Sequence, residues 1–166
     1  MNFILRIISV YIATLARIAP ALAVRQAFQI FQRPVAKKLR PKERAFYQQH
    51  PAQCIDTPEG KVHYYKTGAA NGPLVVLVHG WASNAASLSG IGAMLSEQGF
   101  CVVSVDMPGH GQSKEKRANL LTMSRHLQAV LDVLSPQSPF SVVAHSFGSM
   151  VTAYTLSKQS YAINRG

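Results

Sequence analysis

The 166-residue sequence has few cysteines and few acidic side chains. Each shortage excludes some classes of protein function. Its two cysteines, Cys54 and Cys101, do not have the spacing of a zinc or redox motif. Nothing in the sequence resembles a metal-ligand cluster or a nucleotide-binding glycine motif, so we expect neither a metal nor an organic cofactor. The cysteines give no reason to expect an oxidising compartment, and Cys101 opens an apolar run that is typical of a core strand.

Acidic residues are nearly missing from the first quarter of the chain, where the positive charge collects. The net charge is +10, from 17 basic and 7 acidic side chains. Residues 1–44 hold nine of the basic side chains and one acid, Glu43, which is a net charge of +8 and leaves +2 for the rest. A nucleic-acid-binding domain needs basic residues across a folded face, with interleaved aromatics. We therefore expect no nucleic-acid partner for the globular part.

An uninterrupted hydrophobic run of membrane-spanning length is also missing. Arg6 and Arg17 interrupt the apolar stretch at residues 3–24, and an arginine near the bilayer centre costs about 2.5–3.5 kcal/mol. At about 100° per residue the two arginines lie opposite an apolar face, which predicts an amphipathic helix. That face comprises Ile4, Leu5, Ile7, Ile8, Tyr11, Ile12, Leu15 and Ile18.

A second basic cluster follows this helix, between residues 25 and 44. An apolar helical face followed by a polybasic segment favours binding to an anionic membrane surface, so we expect a cytoplasmic protein that is peripheral at the inner face. One alternative is that the helix packs on the domain itself and the charges are merely solvated. Another is export, because Ala21-Leu22-Ala23 has the small-x-small form of a signal-peptide cleavage site.

The remainder of the chain alternates apolar strands with helical segments. Pro34 and Pro41 break the basic arm, which we predict to comprise residues 1–50, with a globular domain over residues 51–166. The alternation predicts parallel βαβ units and a doubly wound, mostly parallel α/β sheet. The buried strands are predicted at residues 74–78, 101–105 and 140–144, and the helices at residues 84–97, 120–134 and 147–158.

Polar, glycine-rich segments follow each of the three buried strands. They are His79-Gly80-Trp81, the loop from Asp106 to Ser113, and the turn at His145-Ser146. Ligands in parallel α/β sheets bind at the carboxyl ends of the strands, so we expect these segments to meet in one site.

Ser146 lies where the third strand changes into a helix. Small residues, Ala144 and Gly148, stand two positions before and after it. A strand–turn–helix elbow holds its serine at a strained backbone angle and needs small neighbours because the strand and the helix nearly touch. The pattern predicts such an elbow, although alanine stands at position 144 where glycine is commoner.

Taken together, these segments resemble the α/β-hydrolase family over residues 54–158. The matching stretches, in the family order, are LVVLVHGW (74–81), VVSVDMPGHGQS (102–113) and SVVAHSFGS (141–149). The resemblance implies the α/β-hydrolase fold and hydrolysis of a small-molecule ester, thioester or related acyl substrate by a nucleophilic serine. It argues against the haloalkane dehalogenase and epoxide hydrolase branches of the family, which use an aspartate nucleophile.

The resemblance also implies a role for individual residues. Ser146 is the expected nucleophile, and the backbone N–H groups of Trp81 and Phe147 are expected to form the oxyanion hole. The Trp81 side chain is expected either to line an acyl pocket or simply to pack, and His110 is expected in a rim loop or at the surface. Asp106 is expected to fix the Gly109–Gly111 turn rather than to act as the triad acid. The supporting residues are His79, Gly80, Asp106, Gly109, Gly111, Ala144, His145 and Gly148.

The family's two other triad residues have no counterpart after Ser146. The order in this fold is serine, acid, histidine, but residues 147–166 contain no aspartate, glutamate or histidine. We therefore expect a domain cut off after the nucleophile helix, a short polar tail over residues 160–166, and little or no turnover. An unpaired apolar strand edge at residues 140–144 would make the chain poorly soluble or marginally stable.

Two other functions stay open at this point. One is a non-catalytic, membrane-associated binding protein built on a truncated hydrolase scaffold. The other is an enzyme whose missing strands, acid and histidine come from a partner chain.

Overall fold

A computed structural model of the chain describes residues 3–35, 38–134, 136, 138–159, 161 and 163. The chain divides into two compact units, Met1–Arg33 and Pro34–Gly166. Each unit has its own architecture.

The first unit consists of two helices, α1 (Phe3–Ile18) and α2 (Pro20–Phe31). Ala19 separates them with a non-helical backbone (φ −145°, ψ 77°), and Pro20 starts α2 because proline fits the first helical position. The amphipathic helix expected over residues 3–24 is therefore broken into two. α1 has no buried residue, and Ala23 is the one buried residue of α2. In the part of the chain that the structure describes, no helix is both long and apolar enough to cross a membrane.

The second unit begins earlier than the boundary predicted at residue 50. Helix α3 (Pro41–Gln49) belongs to it, because Phe46 is buried and packs edge-on against Tyr65 of the sheet at 5.3 Å. The Tyr47 hydroxyl also donates a hydrogen bond to Asp106. Residues 41–49 fall within the arm predicted from the sequence, but the side chains of Phe46 and Tyr47 anchor this helix to the domain.

The sheet of the second unit has five strands in the order β1-β2-β4-β3-β5. β2 pairs antiparallel with both β1 and β4, whereas β3 pairs parallel with β4 and β5. Only β2 among the described strands therefore runs against the others, and the predicted mostly parallel α/β sheet is confirmed. The strands are β1 (Gln53–Thr57), β2 (Gly60–Gly68), β3 (Leu74–Val78), β4 (Cys101–Asp106) and β5 (Ser141–Ala144).

Strand β1 and its antiparallel hairpin with β2 were not predicted. A turn at Pro58-Glu59 closes this hairpin, with Thr57 paired to Gly60. β1 is largely exposed, so it lacks the continuous apolar run that marks a buried strand.

Helices cover both faces of the sheet. On one face α5 (Leu120–Leu134) and α6 (Phe147–Lys158) pack against residues such as Val76 and Val103, which are fully buried. On the other face Leu95 of α4 (Ser89–Glu97) packs against Leu77 and its neighbours, and a 3-10 turn at Ala85–Leu88 precedes that helix. This two-sided cover explains the continuous apolar sequence of β3 and β4.

The predicted polar tail is wrong at the two positions that the structure describes, Tyr161 and Ile163. Both pack against the main core, and Ile163 forms a parallel bridge with Phe140 at the start of β5. Apolar residues at positions i and i+2 have the period of a strand, and this was the signal in the sequence. The other tail residues, 160, 162 and 164–166, lie outside the described residues. Over Ser141–Ala144 the one described strand partner of β5 is β3.

Candidate active site

The carboxyl ends of β3, β4 and β5 lie side by side at one edge of the sheet. Val78 is in register with Val105 of β4 and with Ala144 of β5. The ladder extends one residue further, since His145 N–H donates to Val78 O at 3.0 Å. The three segments that the sequence placed after these strands therefore start at the same level.

Ser146 forms the turn between β5 and α6. Its backbone is left-handed (φ 54°, ψ −124°), which is uncommon for a residue with a side chain and costs about 1–3 kcal/mol. Ser146 occupies the N-cap position of α6, yet its side chain makes no capping hydrogen bond. The residue is exposed, so the hydroxyl is not consumed in stabilising the helix end.

Two glycines allow the elbow to contact the loop after β3. A β-carbon added to Gly148 would lie 2.5 Å from His79 O and 2.7 Å from Val78 O. A β-carbon added to Gly80 would lie 3.0 Å from both His145 O and the Ser146 β-carbon. Real β-carbons do not approach other atoms as closely as 2.5–2.7 Å, so position 148 requires glycine, whereas at position 80 a side chain would force its neighbours to shift by a few tenths of an ångström. The loop after β3 therefore lies directly against the turn that carries Ser146.

Trp81 and Phe147 flank this contact. Phe147 is the first residue of α6, where a backbone N–H has no acceptor within the helix. The two aromatic rings pack edge to face with their centres 5.6 Å apart. Ala144, two residues before Ser146, is half-buried and its carbonyl accepts a hydrogen bond from Ser149 Oγ at 3.3 Å.

His79 braces the start of the loop from inside the protein. Its ring is 1% exposed, with Nδ1 2.7 Å from Gly80 O and Nε2 accepting the Met107 N–H at 3.1 Å. Because a carbonyl oxygen only accepts, Nδ1 carries the proton and the ring is neutral. Burial lowers the pKa of His79 to about 4. A ring with both nitrogens engaged and this pKa is not available to accept a proton from Ser146.

His110 is buried rather than at the surface, which corrects the sequence-based expectation. Its Nδ1 lies 2.8 Å from Pro108 O, and its Nε2 accepts the Ala82 N–H at 3.0 Å. The ring also packs edge-on against Trp81 at 5.3 Å. Burial lowers the pKa of His110 to about 4, so this ring is also neutral at pH 7.

Asp106 ends β4 and is fully buried. Its carboxylate accepts hydrogen bonds from the N–H groups of Ala85 (2.7 Å) and Gln112 (2.8 Å). The hydroxyls of Tyr47 and Tyr65 also donate to it, each at 3.0 Å. Burial raises the pKa of the Asp106 carboxyl, and these four donors oppose that effect. The carboxylate therefore serves as a hub that ties α3, β2 and two loops together.

The loop after Asp106 is shaped by two glycines with left-handed backbones, Gly109 (φ 71°) and Gly111 (φ 56°). A β-carbon at Gly111 would collide with the Asp106 carboxylate itself. Gly109 N–H donates to Glu115 Oε2 at 3.3 Å. The Gln112 N–H can therefore reach Asp106 only because glycine precedes it.

Sequence reasoning did not identify Tyr47 and Tyr65 as part of this region. Both lie far from Asp106 along the chain, and neither belongs to a motif. Burial, and next the nearby Asp106 charge, raise the pKa of both phenols, so they remain hydrogen-bond donors. Within the described residues no group of three or more histidine, cysteine, aspartate or glutamate side chains is placed to hold a metal ion.

Several curated proteins are similar in sequence to this chain. The Mycobacterium tuberculosis protein named "Probable oxidoreductase EphD" is 35% identical over 107 residues, which are 61% of this chain and 18% of that protein. The human "Serine hydrolase-like protein" is 33% identical over 101 residues, which are 58% of this chain and 49% of that protein. The chain thus spans less than a fifth of the mycobacterial relative and about half of the human one.

Solved structures share the fold. A thioesterase domain from the curacin biosynthetic pathway superposes with a TM-score of 0.63 at 24% identity, over 69% of this chain and 43% of that domain. An epoxide hydrolase from Vigna radiata superposes with a TM-score of 0.61 at 22% identity, over 70% of this chain and 37% of the enzyme. The family model of the alpha/beta hydrolase fold matches residues 73–165, which is more than half of the chain. This protein therefore belongs to the alpha/beta hydrolase family.

Proposed function

We propose that Ser146 is the nucleophile of a hydrolase acting on a small-molecule ester, thioester or related acyl compound. The observation that carries this proposal is the backbone of Ser146, held in the left-handed region, with its hydroxyl not used to cap α6. A strained serine at the start of a helix is the arrangement that presents Oγ to a substrate. The loop at Gly80, packed against Ser146, supports an adjacent oxyanion hole.

The proposed reaction follows from this placement. Ser146 Oγ attacks the acyl carbon as its proton passes to water, and the carbonyl oxygen becomes an oxyanion that accepts hydrogen bonds from the N–H groups of Trp81 and Phe147. The positive end of the α6 dipole lies at the same point. The tetrahedral intermediate then breaks its bond to the leaving alcohol or thiol, which takes up a proton. Water hydrolyses the resulting acyl-serine to release the acid and restore Ser146.

The proposed mechanism lacks an identified general base for the hydroxyl proton of Ser146. A serine hydroxyl needs a general base, and residues 147–166 contain no histidine, aspartate or glutamate. The neutral rings of His79 and His110 already use both of their nitrogens. Oxyanion stabilisation and binding without a triad give about 10³–10⁴-fold over the reaction in water. We therefore propose weak activity at most for the 166-residue polypeptide.

The residue at the elbow favours acyl hydrolysis over epoxide opening. The Vigna radiata epoxide hydrolases share the fold with this chain at about a fifth identity, and that similarity concerns the fold alone. An epoxide hydrolase from an endophytic Streptomyces is 29% identical. In this family the epoxide hydrolase branch is expected to carry an aspartate nucleophile, and this chain has Ser146 there. The similarity to a human serine hydrolase-like protein also supports the serine chemistry.

A fluorophosphonate probe tests the nucleophile directly. We expect slow labelling of the 166-residue chain that rises when imidazole is added, because imidazole in solution can replace the missing base. Labelling should disappear in Ser146→Ala. It should persist in Ser149→Ala, a matched control that removes an exposed serine three residues further along α6. Labelling that imidazole does not stimulate, or that survives Ser146→Ala, would overturn the proposal.

The first unit favours a second function, attachment to a membrane. Its helices expose bulky apolar side chains, and Phe3 and Ile18 are each more than three-quarters exposed. The unit contains four arginines and no acidic residue. Exposed apolar area together with positive charge favours anionic lipid over water or nucleic acid. The exposed apolar residues are Phe3, Ile4, Leu5, Ile7, Val10, Tyr11, Ile18, Leu22, Val24, Phe28 and Phe31.

We propose that residues 3–33 hold the protein at an anionic membrane surface, as a peripheral protein of the cytoplasmic face. This attachment is compatible with hydrolase activity and also with a non-catalytic binding role at the membrane.

Co-sedimentation with vesicles tests the attachment. The full chain should pellet with vesicles of phosphatidylcholine and phosphatidylserine, and should stay in solution with phosphatidylcholine alone. Reversing two charges in Arg6→Glu/Arg17→Glu should weaken binding by roughly 30-fold or more, since each basic residue contributes about 1 kcal/mol near such a surface. The matched control, Lys114→Glu/Lys116→Glu, reverses two charges in the second unit and should bind normally. Equal binding of the two double variants would contradict the proposal.

A further inference from the structure

The backbone of Ala82, which follows the Trp81–Ala82 peptide group, has a conformation that alanine rarely adopts. Ala82 has a φ of 51° and, with Ser146, is one of two described non-glycine residues in the left-handed region. Such a conformation persists only where neighbouring groups hold it. The group that does so here is His110, whose Nε2 accepts the Ala82 N–H at 3.0 Å.

The His110 ring is fixed at its other nitrogen as well. Nδ1 lies 2.8 Å from Pro108 O, which can only accept, so Nδ1 carries the proton and Nε2 is a bare acceptor. The ring is 4% exposed and is flanked by Trp81 at 5.3 Å and by the ring of His79 at 5.2 Å. His110 cannot turn without breaking both hydrogen bonds.

The backbone that carries the ring is anchored in turn. His110 N–H donates to Met107 O at 3.0 Å, and Ser113 N–H donates to His110 O at 2.9 Å. The same loop is tied to the buried Asp106 carboxylate through Gln112 N–H. The position of Nε2 is therefore fixed by the hydrogen bonds of residues 107–113 and by the buried Asp106 carboxylate. It does not depend on the loop at Ala82 that Nε2 contacts.

We propose that His110 is the positioning residue of the oxyanion loop. By accepting the Ala82 N–H, it fixes the Trp81–Ala82 peptide plane. The preceding plane, which carries the Trp81 N–H, shares the Trp81 α-carbon, so only two backbone dihedral angles separate the two planes. The consequence for catalysis rests on the proposed function of Ser146, whereas the effect on the loop does not.

Two substitutions separate this role from simple packing. His110→Phe keeps a ring beside Trp81 and removes the acceptor, whereas His110→Gln removes the ring and retains an oxygen that can accept. Ala82→Gly provides the complementary change, because glycine adopts a left-handed backbone without support. If the hydrogen bond holds the loop, His110→Phe should loosen the backbone at residue 82 and His110→Gln should not. Adding Ala82→Gly should then reduce the effect of His110→Phe.

The amide exchange of Ala82, followed by NMR, is the first measurement. We expect His110→Phe to accelerate it about fivefold or more, the effect of losing one neutral hydrogen bond, and His110→Gln to stay within about twofold of the wild type. In the Ala82→Gly background His110→Phe should change the exchange of residue 82 less than about twofold. Exchange that is unchanged in His110→Phe, or equally raised in both His110 variants, would overturn the proposal.

Trp81 supplies a second measurement, since it is the chain's only tryptophan. Its accessibility to acrylamide should increase in His110→Phe and return towards the wild-type value in His110→Gln. The opposite order of the two variants would show that ring packing, not the hydrogen bond, holds the loop.

The wild-type chain provides a test that needs no variant to fold. Long-range ¹⁵N–¹H correlation spectra should show His110 as the Nδ1–H tautomer, and an Nε2–H tautomer would overturn the proposal. These measurements are independent of Ser146. A loop that loosens in His110→Phe, in a chain without Ser146-dependent probe labelling, would support the positioning role and count against the hydrolase function.

Discussion

The candidate active site has two halves that differ in how they are held. The half built from the loops after β3 and β4 is buried, and His79, His110 and Asp106 are all less than 5% exposed with every ring nitrogen and carboxylate oxygen bonded. The half built from β5 and α6 is different. Every residue of β5 is half-buried, and Ser146 and Met150 are exposed.

The difference follows from position in the sheet. β3 and β4 have strands on both sides, whereas Ser141–Ala144 has β3 as its one described partner. The hydrogen bonds that hold the loops after β3 and β4 are therefore buried in the inner half, and the outer half is tightest where Gly148 lies against the end of β3.

The largest expected effect comes from removing the hub of the inner half. Asp106→Ala leaves four donors without an acceptor, including the hydroxyls of Tyr47 and Tyr65. We expect the free energy of unfolding to fall by about 4 kcal/mol or more, measured by urea unfolding with Trp81 fluorescence. Asp56→Ala, at a carboxylate whose side chain is 82% exposed, is the control and should change stability by less than about 0.5 kcal/mol. Equal losses of stability in Asp106→Ala and Asp56→Ala would show that the buried carboxylate does not hold the inner half together.

Acidification should cause the second-largest loss of stability, because it protonates two buried histidines of the inner half. The folded-state pKa values of His79 and His110 are about 4, below the ordinary 6.5, so the unfolded chain binds more protons on acidification. Their contribution to stability is complete above pH 6.5 and is lost as the pH falls from 6.5 towards 4. We expect a loss of about 2 kcal/mol per ring between pH 7 and pH 5, from urea unfolding at each pH. A flat profile over that interval would mean that neither ring is held neutral.

Two methionines allow the same substitution in each half. Met107 follows β4 and is fully buried, whereas Met150 lies in α6 and is 57% exposed. We expect Met107→Ala to lower the free energy of unfolding by about 3 kcal/mol and Met150→Ala by less than about 0.5 kcal/mol. Thermal unfolding of both variants under one condition measures the difference. A comparable cost at Met150 would show that the α6 face is covered in solution.

Gly148→Ala tests the closest contact between the outer half and the end of β3. The added β-carbon would meet His79 O at 2.5 Å, so we expect a loss of about 2 kcal/mol in the free energy of unfolding. Gly90→Ala is the matched control, because Gly90 lies in α4 with no atom within 4 Å of an added β-carbon. Alanine there should stabilise the chain slightly, by up to about 1 kcal/mol. A neutral Gly148→Ala would place the elbow further from β3 than described.

Most of the fold could be predicted because its signals are local. The apolar runs of β3 and β4 and the small residues around Ser146 are short patterns with one physical interpretation each. The tail at Tyr161 and Ile163 was misjudged because two apolar residues among polar ones make a weak strand pattern. The structure divides after Arg33 rather than near residue 50, because the basic charge around α3 concealed the buried Phe46 and the half-buried Tyr47 of that helix.

The amino-acid sequence by itself determined the order of strands and helices from β3 to α6, the elbow at Ser146 and the positive charge of the first thirty-three residues, because each depends on neighbours within one or two turns of chain. Only the tertiary structure decided that His110 is buried against Ala82 and that Tyr47 and Tyr65 share the Asp106 carboxylate. Those contacts join residues 28 to 59 positions apart, and which polar groups meet over such distances depends on how the sheet and its helices pack.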